Sequence, residues 1–301
     1  MTPPPAQART LPHLSSPASR GIALMIAAIF MFSLMDVAAK AISARADTVM
    51  ALWARYAGQM ALVTLIVLPR LRTVARTHYP GLQFARSLFL LMASTFMFFG
   101  IARIALAEAT AVMALNPVLI TLGAALFLGE RLGWRRITGI GAALCGALII
   151  IRPGTAVFSP DALLPLGGAI CFASYALLTR KVGRDESPWT SLLYTAVVGG
   201  LVLSAVVPWF WIPPDQVTIL WMIFIALTGA AGQLLLIRAL SVAEASTVAP
   251  FSYSGVVFAT LLGFAIFAEV PDALTLLGAL VIIAAGLYVW RRETRAARTA
   301  A

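Results

Sequence analysis

Asp36 and Lys40 stand four residues apart in "SLMDVAAK", and Arg55 and Gln59 stand four apart in "ARYAGQ", each pair inside an apolar run. A spacing of four puts both members of a pair on one helical face. A charged side chain at the centre of a hydrocarbon layer costs about 2.5–3.5 kcal/mol on insertion scales, so such groups mark solute or proton pathways by default. The chemistry this set suits is binding of a charged or zwitterionic solute, or passage of a proton through Asp36. The same residues also suit a buried ion pair that only fastens two helices. Both readings stand at this level.

The elements that must position them are membrane spans. Hydrophobic residues make up 61% of the 301 positions and charged residues 11%, with a mean hydropathy of +0.93, far more apolar than a water-soluble core requires. A helix crossing the hydrocarbon layer needs about 20 mostly apolar residues. Ten such runs are predicted, near 21–42, 48–68, 81–103, 109–129, 134–152, 162–180, 189–210, 217–238, 246–268 and 272–290. The breaks are short and carry Pro, Gly and charge, as in "GERLGWRR", "RPGTAVFSPD" and "RKVGRDESP", so consecutive spans are antiparallel neighbours. Residues 1–20, rich in Pro, Ser and Ala, read as a disordered cytoplasmic tail and 291–301 as a basic one. The first run is too long for a signal core and contains Asp36 and Lys40, so it is kept as a span.

Equal depth follows from counting. Asp36 lies six residues before the outer end of its span and Arg55 seven after the outer start of the next, which puts both about 9–10 Å below the outer surface at 1.5 Å per residue. Arg86 also lies inside a span. Of the other cations 16 fall on one side, mostly in the groups Arg70/Arg72/Arg76, Arg131/Arg135/Arg136, Arg180/Lys181/Arg184 and the C-terminal arginines, and four, Lys40, Arg45, Arg103 and Arg152, on the other. The positive-inside rule then puts both termini in the cytoplasm, and an Arg-rich interior with short loops fits a bacterial inner membrane. Basic charge spread over many loops makes no nucleic-acid stripe.

Further polar groups fall at depth. Pro117 and Pro250 lie about eight residues into the fourth and ninth spans, where each removes a helical hydrogen bond and bends its helix. A bend turns backbone toward a cavity, which makes Asn116, Ser252 and Tyr253 lining candidates, with Tyr175 and Gln233 on the sixth and eighth spans. Glu108 and Glu244 open helices and suit capping, while Glu130 and Glu269 suit fastening of hairpins. Trp53, Trp189, Trp209, Trp211 and Trp221 suit interfacial anchoring. Cys145 and Cys171 lie inside spans and read as small buried hydrophobes. Glycine faces at 139–146 and 277–286 let helices approach closely, joining spans within one chain or two copies to each other. No cluster of nucleophiles, metal ligands or phosphate-binding glycines occurs, so no cofactor, metal or enzymatic chemistry is expected.

The chain also repeats itself. "LAEATAV" at 106–112 returns as "VAEASTV" at 242–248, "FLGE" at 127–130 as "IFAE" at 266–269, and Gly139 with Gly146 as Gly278 with Gly286. The unit is five spans. An odd count inverts the second copy relative to the first, so the fold class expected is all-α, ten transmembrane helices in two inverted five-helix repeats, 21–152 and 162–290.

The stretch from Arg103 to Pro117, "LGER" at 128–131, "IIIRPG" at 149–154 and their second-half counterparts resemble the drug/metabolite transporter superfamily, EamA branch. "SLMDVAAK" with Arg55 is most similar to a subgroup that includes carriers of riboflavin and S-adenosylmethionine. The resemblance implies a secondary transporter that moves a small polar metabolite, an amino acid, vitamin or nucleotide-like compound, through a central cavity opening alternately to each side. Its partners are then the solute and the lipid bilayer, with proton or sodium coupling and pairing with a second copy left open. A channel is the second reading, and a membrane-embedded sensor or enzyme the third.

Overall fold

The computed structural model describes residues 17–128, 134–151, 160–183, 185–243 and 248–300. Among them there are helices and no strands. The helices are α1 (Pro17–Ser43), α2 (Thr48–Val67), α3 (Pro80–Ile101), α4 (Leu106–Met113), α5 (Asn116–Leu128), α6 (Trp134–Ile151), α7 (Leu163–Val182), α8 (Pro188–Val206), α9 (Gln216–Val242), α10 (Ser254–Phe267) and α11 (Ala273–Ala300). Six described helices are long and apolar enough to cross a membrane: those of α1, α2, α3, α7, α8 and α9. Shorter apolar helices cover Leu106–Ile120, Phe251–Phe267 and Ala273–Ala285. The last helix runs on past the expected end near 290 to Ala300, because "RRETRAARTA" loses apolarity while keeping good helix formers.

Helix starts follow local chemistry. Asp47 caps α2 by accepting from Val49 N at 2.8 Å, and Asp215 caps α9 by accepting from Thr218 N at 2.8 Å, each satisfying an amide that the helix leaves unpaired. Pro80 and Pro188 occupy the first turns of α3 and α8, where a missing N–H costs nothing.

The two expected bends are breaks. The fourth apolar run divides at Ala114–Leu115 into α4 and α5, with Pro117 in the first turn of α5. The ninth begins with a 3-10 turn, Ala249–Tyr253, carrying Pro250 at its start, before α10. A proline ring denies its own N–H and crowds the carbonyl four residues back. Here the chain answers by interrupting the helix instead of curving it.

The halves interleave. α1 packs along α9 and α3 along α7, while α2 meets α8 and α6 meets α11. The glycine faces left open by the sequence serve contact within the chain: a Cβ on Gly146 would lie 2.8 Å from Gly278 O, and one on Gly278 2.6 Å from Gly146 O. Backbones that close exclude any side chain between them. A Cβ on Gly199 of α8 would likewise strike the Tyr56 ring of α2 at 2.2 Å. Leu65, Leu220, Leu261 and Leu280 project outward, a surface suited to lipid. Trp209 is exposed and Trp211 meets Trp53 edge-to-face at 5.5 Å, whereas Trp189 sits under Arg70 and Arg238.

Glu130, Arg131 and Glu244 lie outside the described residues, as do residues 1–16 and 301.

Candidate functional site

α1 is buried on nearly every side from Met35 to Ala39, which puts Asp36 among helices of both halves. Its Oδ1 is buried and meets no hydrogen-bond partner. Arg55, on α2, is 4% exposed and within electrostatic reach of Asp36, but no ion pair joins them within 4 Å. The Arg55 guanidinium lies 5.0 Å from the Tyr56 ring centre and 5.6 Å from that of Phe98, and Nη1 donates to Ser94 Oγ of α3 at 2.6 Å. Ser94 Oγ gives its proton to Leu90 O at 2.8 Å, so Tyr56 OH, 2.9 Å away, is the donor in that contact. Arg55 Nε and Gln59 Nε2 are buried without partners.

The other unpartnered atoms come from both halves. Gln233 of α9 is fully buried, its Nε2 2.5 Å from Tyr175 OH of α7 and its Oε1 without a partner. Asn116 Oδ1, at the break between α4 and α5, and Tyr253 OH, at the break before α10, are also buried and unpartnered. Ser252 is half-buried in the same 3-10 turn and engaged within the chain, and Pro117 stands half-buried in α5.

Six of the residues expected from sequence thus carry a buried polar atom with no partner: Asp36, Arg55, Gln59, Asn116, Gln233 and Tyr253. Among the described residues one further atom, Ser43 Oγ, is in that condition. Each such atom costs about 1–3 kcal/mol, and a chain keeps a set of them where water or a bound molecule completes the pairing.

Lys40 departs from this group. Its Nζ lies 2.5 Å from Glu269 Oε1 and donates to Ile104 O at 2.8 Å, while Glu269 Oε2 accepts from Leu106 N at 2.9 Å. The long Lys40 stem reaches past the Asp36 face to a carboxylate that the fold brings from the α10–α11 turn. Glu269 therefore fastens that turn to the other half and caps α4, whose first turn also carries Glu108. Ala268 holds φ 56° just before it, the one positive φ outside glycine among the described residues.

Sequence reasoning placed Arg86 in a span and assigned it no role. It is fully buried and held by Thr179 Oγ1 (2.7 Å), Gln83 Oε1 (2.6 Å), Ser191 O (3.2 Å) and Tyr175 OH (3.4 Å). The signal available was the cost of an ionisable group at depth with no carboxylate in its own span. Gln83 Nε2 continues the chain to Glu186 Oε2 at 3.1 Å, and Glu186 also accepts from Thr77 Oγ1 and His78 N. Burial raises the Glu186 pKa, but these hydrogen bonds outweigh it and hold the carboxyl below its ordinary value.

The geometry, then, is a central set of unpaired polar atoms on helices of both halves, with no group of three or more His, Cys, Asp or Glu disposed as metal ligands among the described residues. The sequence model of the EamA-like transporter family matches residues 19–152 and again residues 160–291. The chain belongs to the EamA-like transporter family. Among its relatives, a riboflavin transporter of Rhizobium johnstonii is 33% identical over 79% of each chain. An S-adenosylmethionine uptake transporter of Rickettsia felis is 26% identical over 92% of this chain and 94% of its own. A pseudopaline exporter of Pseudomonas aeruginosa is 28% identical over 91% and 96%. One solved structure, 19% identical, superposes with a TM-score of 0.68 over 91% of this chain and 99% of that one, a likeness of fold. This EamA-like protein is a membrane transporter of small metabolites and not an enzyme.

Proposed function

We propose that this EamA-like protein is a secondary transporter that carries a small polar metabolite across a bacterial inner membrane by alternating access. The carrying observation is the set of unpartnered buried atoms on Asp36, Arg55, Gln59 and Gln233, contributed by helices of both halves. A solute held there completes their hydrogen bonds and is released when the halves rock apart.

The same reading takes ten spans in two inverted five-span repeats, 21–152 and 162–290, with both termini in the cytoplasm. Three features support it. The family model matches the chain twice over the corresponding residues. The packing pairs exchange consistently, α1 on α9 answering α3 on α7, with α2·α8 and α6·α11 answering themselves. The two proline breaks fall at matching places in the halves. Asp36 is the group through which a proton would couple to transport, with Arg55 as the neighbouring fixed charge; sodium is the other coupling ion open to this site.

Riboflavin and S-adenosylmethionine, the solutes named for two relatives, are the first to test. Purified protein in proteoliposomes is expected to take up one of them saturably, with counterflow against unlabelled solute inside. Current that rises linearly with voltage and shows no counterflow would replace the carrier by a pore.

A further inference from the structure

Arg86 is a buried cation with no carboxylate within ion-pair distance among the described residues. Every contact it makes is donation to a neutral oxygen: Thr179 Oγ1, Gln83 Oε1, Ser191 O and Tyr175 OH. Its guanidinium also lies 5.1 Å from the centre of the Tyr175 ring. Arginine has five N–H donors and no acceptor, so whatever else it does, it cannot receive the Tyr175 phenolic proton.

That leaves Gln233. An amide presents its oxygen or its nitrogen to a neighbour by a half turn, and the hydrogen-bond network decides which. With nitrogen toward Tyr175, the phenolic proton and Gln233 Oε1 are both left without partners, and Oε1 is unpartnered in that orientation. With oxygen toward Tyr175, the phenolic proton and Oε1 pair with each other and the unpaired group becomes the Gln233 NH2. The separation of 2.5 Å also belongs to O–H···O contacts, which run about 2.5–3.0 Å, and is short for N–H···O, which run about 2.7–3.2 Å. Arg86, by occupying the acceptor side of Tyr175, orders a chain in which Arg86 donates to Tyr175 and Tyr175 donates to Gln233.

The consequence reaches the solute site. Gly229, one turn before Gln233 on α9, lies against Arg55 Cγ and Met35 Sδ, with a Cβ there meeting them at 3.4 and 3.3 Å. Gly232 lies against Phe32, one turn before Asp36 on α1. Gln233 thus stands one turn along α9 from the glycine that meets Arg55 and Met35, the neighbour of Asp36, and Arg55 Nε, Gln59 Nε2 and Asp36 Oδ1 are all buried without partners.

The geometry points to Arg86 as a positioning residue that, through Tyr175, turns the Gln233 NH2 toward the solute chamber, so that the site selects a solute presenting acceptor oxygens, carbonyl, carboxylate or phosphoryl, to α2 and α9. This deepens the transporter reading and rests on it for the choice of solute alone.

Two measurements on the full chain test it. The first needs no solute: thermal unfolding of Arg86→Met, Gln233→Leu and the double variant, each repeated with Tyr175→Phe. Non-additivity that disappears when the phenol is removed is expected, and additive losses in the Tyr175 background would overturn the chain of donors. The second is riboflavin uptake in proteoliposomes. Ionised Gln233→Glu keeps an acceptor for Tyr175 and loses both donors, so KM rises about 10-fold or more at nearly unchanged maximal rate, the cost of a buried polar contact left unpaired. Arg86→Lys, which still donates to Tyr175, restores most of the KM lost in Arg86→Met. An unaltered KM in Gln233→Glu would overturn the donor assignment. If the parent protein carries no riboflavin, the choice of solute fails while the unfolding cycle still decides the role of Arg86.

Discussion

Arg55 and Arg86 are both buried arginines about two turns into their helices, and they differ in what surrounds them. Arg86 is enclosed by neutral oxygens from α3, α7 and α8 that occupy its whole donor fork. Arg55 has one firm hydrogen bond, two aromatic faces, an idle Nε and a carboxylate nearby that it does not touch. A saturated cation holds structure in place. An unsaturated one near an unsaturated carboxylate is the arrangement on which the proposed solute site rests. The same side chain, at similar depth in its helix, is thus fully paired in one place and left partly unpaired in the other.

The largest effect expected is at the unsaturated end. Asp36→Asn should lower uptake about 100-fold, the loss of one charged contact worth roughly 3 kcal/mol, with the melting temperature kept; normal uptake and binding would remove Asp36 from the mechanism and leave Arg55 as a structural cation. Swapping the arginines for glutamine sharpens the contrast in stability. Arg86→Gln strands several buried acceptors and should cost about 3–5 kcal/mol, whereas Arg55→Gln leaves Ser94 and Tyr56 paired with each other and should cost about 1–2 kcal/mol. Equal losses in thermal or denaturant unfolding would erase the distinction.

Lys40→Met comes next, because Lys40 joins the halves through Glu269, and also holds Ile104 O, instead of facing Asp36. A few-fold slower uptake with unchanged solute KM is expected, and a KM raised about 10-fold would return Lys40 to the solute site. The smallest effect concerns pH. The Glu186 carboxyl is held below its ordinary value of 4.5, so its contribution to stability is present in full above that value and is lost as pH falls through the lower folded one. The melting-temperature difference between the parent and Glu186→Gln should accordingly shrink on acidification below about pH 4.5; a difference that grows would contradict the sign.

Much of the candidate site was legible because transfer energetics are local. A polar group in an apolar run is costly wherever the run packs, so Asp36, Arg55, Gln59, Asn116, Gln233 and Tyr253 could be named from their positions alone, and all carry unpaired buried atoms. Proline at depth likewise announced Pro117 and Pro250, although whether a helix bends or breaks depends on what its neighbours offer the freed carbonyls. Arg86 went unassigned because its role consists of partners 93 and 105 residues away, Thr179 and Ser191. Lys40 was grouped with Asp36 because helical spacing puts them on one face, but a four-carbon stem follows the nearest carboxylate, and that carboxylate is 229 positions along the chain.

Composition, period and internal repetition were enough to establish a helical membrane protein of duplicated plan with polar groups at its centre, since each depends on the cost of placing one segment in hydrocarbon. Which of those groups are satisfied and which are left unpaired depended on the packing of one half against the other. A hydrogen bond needs its partner within about 3 Å, and no local pattern records which distant helix will supply it.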